Sequence, residues 1–290
     1  MIHLQEFFDK ATFTLTYVVW DSNTLDAVIF DPVLDYDPAA SKVSTESFDK
    51  LSAFLKSKPF NIHFIFETHA HADHLSSSQL IKKAFPSAQL AINERICEVQ
   101  RVFKDVFDLS DLTPNGKQFD LLLKDGETIK AGSMSFKVMF TPGHTPACTS
   151  FLLDNWLFTG DALFMPDYGV GRCDFPKGSA DELFTSVTER LYSLPDSTQV
   201  FTGHDYQPNG RALRFQSTIG EEKASNIHIN ENTTRESFVK FRTERDKTLS
   251  APKLLLPSIQ INIDAGHFPK AHSNGKHYLS IPISFKEKAS

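Results

Sequence analysis

Four short segments of this chain each end a run of strand-forming residues with a turn that carries imidazole or carboxylate. The densest is Thr68-His69-Ala70-His71-Ala72-Asp73-His74, directly after the apolar run Ile62-His63-Phe64-Ile65-Phe66. The others are Thr141-Pro142-Gly143-His144-Thr145, Phe158-Thr159-Gly160-Asp161 and Phe201-Thr202-Gly203-His204-Asp205. A lone histidine near a strand end is ordinarily a core or surface residue, and His3, His63, His228, His267, His272 and His277 take that reading by default. Five histidines and two aspartates from four strand ends need a common reason. A buried polar group without a partner costs on the order of a few kcal/mol, and a metal ion removes that cost. Neutral imidazole and carboxylate suit Zn, Fe, Mn and Ni, and the lack of a Cys pair in these segments argues against a closed structural zinc site.

The rest of the composition narrows the field. A length of 290 residues allows one large domain or a domain with a substantial C-terminal extension. A net charge of −6 with scattered Lys and Arg gives no footprint for nucleic acid or an anionic membrane. Cys97, Cys148 and Cys173 are odd in number and unrelated in spacing, which does not read as a disulfide framework. The first residues lack the cationic start and long apolar segment of a signal peptide, and no stretch is apolar enough to span a bilayer. A cytoplasmic protein is expected, with homodimerisation left open.

Along the chain, 13–20 reads as a strand, Asp21-Ser22-Asn23-Thr24 as a turn and 25–31 as the returning strand. Ser44 is a cap candidate for a helix in which Phe48, Leu51, Phe54 and Leu55 recur at helical spacing. After the strand at 62–67, residues 75–85 read as a helix stopped by Pro86. That would set Asp73 and His74 at its N-terminus, where free N–H groups and the helix dipole favour negative charge. His69 and His71, two apart in extended chain, can point the same way. A strand at 89–93 and an amphipathic helix at 94–107 follow. Strands at 134–140, 149–153 and 155–158 form a second set; a helix from Ser179 to about Leu194 and a strand at 199–202 complete it. Residues 211–250 read as helical and charged. The tail from Pro252 carries Leu254-Leu255-Leu256 and Ile259-Gln260-Ile261-Asn262-Ile263, too apolar for a free end. The expected architecture is α/β, two sheets face to face with helices outside, over a domain of residues 1–250 and an extension, 251–290, packed on it. The ligand turns would meet along one edge.

The ordered set T-H-x-H-x-D-H, P-G-H-T, G-D and G-H resembles the metallo-β-lactamase superfamily over residues 10–210, which implies a four-layer αβ/βα sandwich. Carried over residue by residue, the resemblance puts His69, His71 and His144 at one metal position. Asp73, His74 and His204 fall at a second, with Asp161 able to bridge the two. Fold alone does not choose the chemistry. Residues 164–180, with Gly171-Arg172-Cys173-Asp174-Phe175, are similar to the G-R-x-D-F segment of the persulfide dioxygenases, and His204-Asp205-Tyr206 also matches that family. Residues 220–226 and Leu256-Pro257-Ser258-Ile259-Gln260-Ile261-Asn262 resemble the bacterial β-lactamase-like hydrolase proteins of the same branch.

Membership of the persulfide dioxygenases implies one Fe(II) per chain on His69, His144 and Asp161, a facial triad with open positions. It implies O2 and glutathione persulfide, or a related low-molecular-weight thiol, as substrates, and sulfite and glutathione as products. His71, Asp73, His74 and His204 would then orient ligands and waters. The alternative is a glyoxalase II-like hydrolase of glutathione thioesters using one or two Zn ions to activate water. The metal motifs serve either reaction, and the 171–175 segment favours the dioxygenase. Export-dependent β-lactamase activity, nucleic-acid processing and a degenerate metal sensor fit the sequence less well. Asp73 and Tyr206 are the candidate catalytic groups beside the metal, and Arg172 and Tyr206 the candidate substrate contacts. The Arg172 fork matches a carboxylate, with a structural pairing to Asp174 or Asp167 as its alternative. Cys148 and Cys173 read as small buried thiols, and Asp205 as a turn or supporting residue.

Overall fold

The computed structural model describes residues 1–283. The first half runs β1 (Ile2–Asp9), β2 (Thr14–Asp21), β3 (Asp26–Phe30), β4 (Val33–Asp37), β5 (Lys42–Ser44), α1 (Glu46–Lys56), β6 (Asn61–Phe66), β7 (Leu75–Ser76), α2 (Ser78–Ala84), β8 (Gln89–Asn93), α3 (Ile96–Phe107) and β9 (Leu121–Leu123). The second half holds β10 (Thr128–Ala131), β11 (Met134–Phe140), β12 (Thr149–Leu153), β13 (Trp156–Phe158), α4 (Ala180–Thr185), β14 (Gln199–Phe201), β15 (Gln216–Thr218), α5 (Ile219–Ser225), α6 (Arg235–Asp246) and α7 (Leu255–Asn262). One six-stranded sheet has the order β1-β2-β3-β6-β8-β9 and the other β10-β11-β12-β13-β14-β15. Each begins as an antiparallel meander and then adds a parallel strand, β6 beside β3 and β14 beside β13.

Strand periodicity explains the layering. In β2, Leu15, Tyr17 and Val19 face the core between the sheets, while Val18 and Trp20 face the layer of α1, α2, α3 and α7. In β3, Val28 and Phe30 take the first face and Ala27 and Ile29 the second. On the far side, Met139, Leu157 and Val200 pack with Leu183, Val187 and Phe238 from the helices over the second sheet. Both faces of each sheet are thus apolar and covered, the four-layer α/β sandwich. The central layer is aromatic: Phe30 stacks on Phe158 with centroids 4.4 Å apart, and Phe66 meets Phe151 at 4.6 Å. Truncating such a buried ring to Ala costs about 3–5 kcal/mol, so this layer is a rigid floor for the turns above it.

Four segments differ from the sequence expectations. Residues 75–85 are not one helix. Leu75 and Ser76 pair with Leu34 and Val33 of β4, and α2 starts only at Ser78. Asp73 and His74 therefore do not sit on a helix N-terminus, and no helix dipole acts on them. Ser44 belongs to β5 rather than capping α1; the free N–H of Ser47 is taken instead by Asp35 Oδ2 of β4 at 2.8 Å. The helix from Ser179 is capped as expected, with Glu182 N–H on Ser179 Oγ, but widens into a π-helical turn at Ser186–Leu191. Residues 211–250 include a strand, β15, besides α5 and α6, which start on the hydroxyl caps Thr218 and Thr234. In the tail, α7 inserts Ile259 and Ile263 beside the strands of the first sheet.

Candidate metal centre

The four histidine- and aspartate-bearing turns converge at one edge of the sandwich. Two strands deliver the densest turn: β6 leads into Thr68, and β3 ends at Asp31, whose φ of +46° is a left-handed value that few residues other than Gly, Asn and Asp adopt. That strained turn aims the Asp31 carboxylate at the histidine segment. Its Oδ1 accepts from Thr68 N–H at 2.7 Å and His71 Nε2 at 2.9 Å, and its Oδ2 accepts the Thr68 hydroxyl at 2.8 Å.

These bonds decide where the imidazole protons sit. The Thr68 hydroxyl spends its proton on Asp31, so at 3.0 Å it can only accept from His69 Nδ1–H, and His69 Nε2 keeps its lone pair. His71 donates Nε2–H to Asp31, leaving Nδ1 free. His144 Nδ1 lies 2.6 Å from the Arg172 carbonyl and His74 Nδ1 lies 3.0 Å from the Leu75 carbonyl; a carbonyl only accepts, so both rings carry hydrogen there and expose Nε2. His204 Nδ1 reaches Thr14 Oγ1 at 3.5 Å. Each of five buried imidazoles is anchored outward by one nitrogen.

The inward atoms have no hydrogen-bond partner. His69 Nε2, His71 Nδ1, His74 Nε2, His204 Nε2, Asp73 Oδ2 and Asp161 Oδ1 are all buried and unpaired. Ligand atoms on one metal at ~2.0–2.2 Å lie about 3–4 Å apart, depending on the angle between them. His144 Nε2 is 3.5 Å and His69 Nε2 3.9 Å from Asp161 Oδ2. His204 Nε2 is 3.2 Å from Asp73 Oδ2 and 3.3 Å from Asp161 Oδ1, close but without hydrogen-bond alignment. Three donor groups result, His69 with His144 and Asp161, His71 with Asp73 and His74, and His71 with Asp31 and Glu67, the last already joined by the hydrogen bond of His71 to Asp31. Orphaned imidazole and carboxylate atoms at these separations fit a hard or borderline cation such as iron or zinc, with no sulfur among them.

The electrostatics are mixed. Burial, reinforced by the neighbouring imidazoles, pushes the His69 pKa well below the usual histidine value. Burial also brings His74 down to about 4. For His71 burial works the same way, but the Asp31 and Glu67 carboxylates outweigh it and raise its pKa well above the ordinary value. Glu67 is itself fixed by the Ser76 hydroxyl at 2.5 Å and by the Ser78 hydroxyl.

A cavity of about 800 Å³ opens over this edge, lined among others by Asp73, His144, Asp161, Tyr206 and Arg172. Tyr206 stacks on His204 at 5.4 Å and on Tyr168 at 4.5 Å, and burial raises its pKa well above the usual phenol value. Arg172 has its fork closed on Asp174, at 2.5 and 2.6 Å, with a third bond of 2.8 Å to the Ser250 carbonyl. Asp205 is a supporting residue, gripped by Arg211 at 2.7 Å through both oxygens. Cys148 and Cys173 are buried, and burial pushes both thiols up to about 12.

The stretch that carries these turns is matched in known proteins. A family model described as the metallo-β-lactamase superfamily matches residues 9–204. The chain belongs to that superfamily. Among similar superfamily proteins, glyoxylase B2 of Dictyostelium discoideum is 44% identical over 92% of this chain and 92% of its own. A beta-lactamase hydrolase-like protein of Xylella fastidiosa is 41% identical over 98% of this chain and 65% of its own. The mitochondrial persulfide dioxygenase ETHE1 of Homo sapiens is 31% identical over 82% of this chain and 80% of its own. The crystal structure of ETHE1 from Myxococcus xanthus superimposes with a TM-score of 0.73 at 30% identity, over 91% of this chain and all of that one.

Sequence reasoning missed two supports of this superfamily site and one residue of its cavity. Asp31 and Glu67 flank His71, and His228, read as an ordinary histidine, lines the cavity. The signal for Asp31 was present, an acidic residue ending an apolar strand that pairs with the ligand-bearing one. Among the described residues, no helix is long and apolar enough to cross a membrane.

Proposed function

We propose that the protein is a single-iron persulfide dioxygenase that converts glutathione persulfide, O2 and water into glutathione, sulfite and two protons. The observation that carries this reading is the placement of the 171–175 segment, whose sequence resembles that family. It runs directly behind two of the three triad residues. The Arg172 carbonyl fixes His144, and Gly171 N–H donates to the Asp161 carbonyl at 3.1 Å. A Cβ on Gly171 would lie 2.3 Å from that carbonyl oxygen, so a larger residue there would displace Asp161. The segment that separates the two candidate chemistries therefore supports His144 and Asp161.

Iron held by those three residues would supply the redox chemistry that lets O2 oxidise a sulfur atom. The chain's own groups do the rest. His204 sets its Nε2 between the Asp73 and Asp161 carboxylates, 3.3 Å from the Asp161 oxygen that does not face His69 and His144. Tyr206, stacked on His204, holds a phenol beside the open side of the site and stays protonated at neutral pH. Glutathione carries two carboxylates and an ammonium. With Arg172 occupied by Asp174, carboxylate binding falls to Arg245 and Lys253, which line the same cavity and have no carboxylate partner among the described residues. The same lining carries Asp37 and Glu46 for the ammonium.

The second reading, a zinc-dependent thioester hydrolase, is favoured by the orphaned donors of His71, Asp73 and His74 and by the glyoxylase relative. An oxygen electrode with sulfite detection, run beside acylglutathione hydrolysis, separates the two. Iron-loaded protein should consume O2 with glutathione persulfide and release sulfite, and the zinc form should not, because zinc has no redox chemistry. Acylglutathione hydrolysis by the zinc form, with no O2 uptake by the iron form, would replace this reading with the hydrolase.

A further inference from the structure

The histidine turn is held in shape from far along the chain. Among the described residues, no backbone–backbone hydrogen bond ties His69–His74 to the rest of the protein; the nearest on either side are Thr149 N–H to the Thr68 carbonyl and the short pairing of β7 with β4. A segment carrying four donor side chains would by itself be a floppy loop. One side chain supplies what is missing. Asn262, the last residue of α7, donates its amide hydrogens to the His71 carbonyl at 2.9 Å and the His74 carbonyl at 2.7 Å, and its Oδ1 accepts Ser76 N–H at 2.9 Å. All three amide positions of Asn262 are used on residues 71–76, and Asn262 is 5% exposed. The two carbonyls it joins bracket Asp73, so the spacing of His71, Asp73 and His74 depends on this clamp.

We propose that Asn262 is a positioning residue of the metal centre: the C-terminal helix, through this one amide, holds the 71–76 turn in its ligand-presenting shape. This rests on the reading of the site as a metal centre, though not on which reaction it catalyses. Two other bonds fix the C-terminal end of α7, through residues just beyond it, without touching the turn's carbonyls: Gln79 Nε2 to the Ala265 carbonyl at 2.7 Å and Gln100 Nε2 to the Ile263 carbonyl at 2.8 Å. Docking of α7 and shaping of the turn can therefore be separated. Coupling between two equilibria is reciprocal, so if docked α7 favours metal binding, bound metal must favour docked α7.

The test uses the full chain stripped of metal and titrated with Co(II), whose visible d–d bands report the ligand field. Asn262→Asp keeps the size and the acceptor but sets a carboxylate oxygen against the two carbonyls. It should weaken Co(II) binding at least about tenfold, the range for groups that support metal ligands, and alter the d–d bands. Gln79→Ala should lower the melting temperature but leave affinity and bands as in wild type. In wild type, Co(II) should slow hydrogen exchange of the Ser76 amide and the α7 amides together, a readout that stands if Asn262→Asp does not fold. Wild-type affinity and bands in Asn262→Asp, equal loss in Gln79→Ala, or α7 exchange indifferent to Co(II) would each overturn the proposal. Failure of wild type itself to bind Co(II) would instead overturn the metal-centre reading beneath it.

Discussion

Replacing Asp31 by Asn should disable the site through proton placement rather than through loss of fold. Its Oδ1 accepts Thr68 N–H and His71 Nε2, and its Oδ2 accepts the Thr68 hydroxyl. An asparagine oxygen in the Oδ1 place keeps the first two bonds as neutral ones. The amide nitrogen in the Oδ2 place can only donate, so the Thr68 hydroxyl must turn its proton elsewhere. The acceptor within reach is His69 Nδ1, 3.0 Å away. His69 would then carry its proton on Nε2, the atom that faces Asp161, and lose the lone pair a metal needs. The opposite amide orientation is worse, since it sets NH2 against two donors. Asn tolerates the left-handed φ of this position, so the backbone is spared. Exchanging charge-assisted for neutral hydrogen bonds costs about 1–2 kcal/mol of stability, a fall of roughly 2–3 °C in Tm for a chain of this size. Metal affinity should drop by about 10–100-fold, or about 1.4–2.7 kcal/mol. Calorimetric titration of metal-free protein with Zn(II), beside a thermal melt, measures both. A metal affinity within about twofold of wild type would refute the tautomer argument.

Arg172→Lys removes the fork that closes on Asp174 and so should lower Tm while leaving KM for the thiol substrate nearly unchanged; Arg245→Ala should raise KM instead. A raised KM in Arg172→Lys with wild-type Tm would return Arg172 to substrate binding. Buried Glu222, bonded to the Ser217 hydroxyl at 2.5 Å and to Asn226 at 2.8 Å, has its pKa pushed up to about 8 by burial. A folded-state value above the unfolded one means the folded chain holds the proton longer. Stability should therefore be fullest below the ordinary glutamate range, near 4.5, and decline as pH rises towards about 8, by on the order of a few kcal/mol. Denaturant melts across this window should flatten in Glu222→Gln, and an unchanged slope would count against the assignment.

The donor residues were legible because three signals coincide at each: an apolar β run, a turn and a metal-ligating side chain. The sandwich followed from the same runs, since residues apolar on both faces need cover on both. What stayed hidden has a common cause, dependence on partners distant in sequence. Leu75 and Ser76 follow helical spacing with α2, yet β4 and Asn262 pull them into a strand. The first strand, Ile2–Asp9, is half-buried along its whole length at a sheet edge, so no alternation announces it. Asp31 looks like any acidic turn residue until β3 is set beside β6. The role of Arg172 hung on which carboxylate was nearer, and Asp174, two residues on, is at hand in the folded chain. Asn262 lies 188 positions from His74, beyond any local pattern.

Anomalous diffraction at the iron edge, from crystals of iron-loaded protein, bears on the one-metal reading without passing through activity. A single peak in contact with His69 Nε2, His144 Nε2 and Asp161 is the expected result, with His71 Nδ1, Asp73 and His204 outside its coordination sphere. Two peaks, or one peak bounded by His71, Asp73 and His74, would contradict the single-iron triad, and two peaks would move the protein to the two-metal hydrolase chemistry.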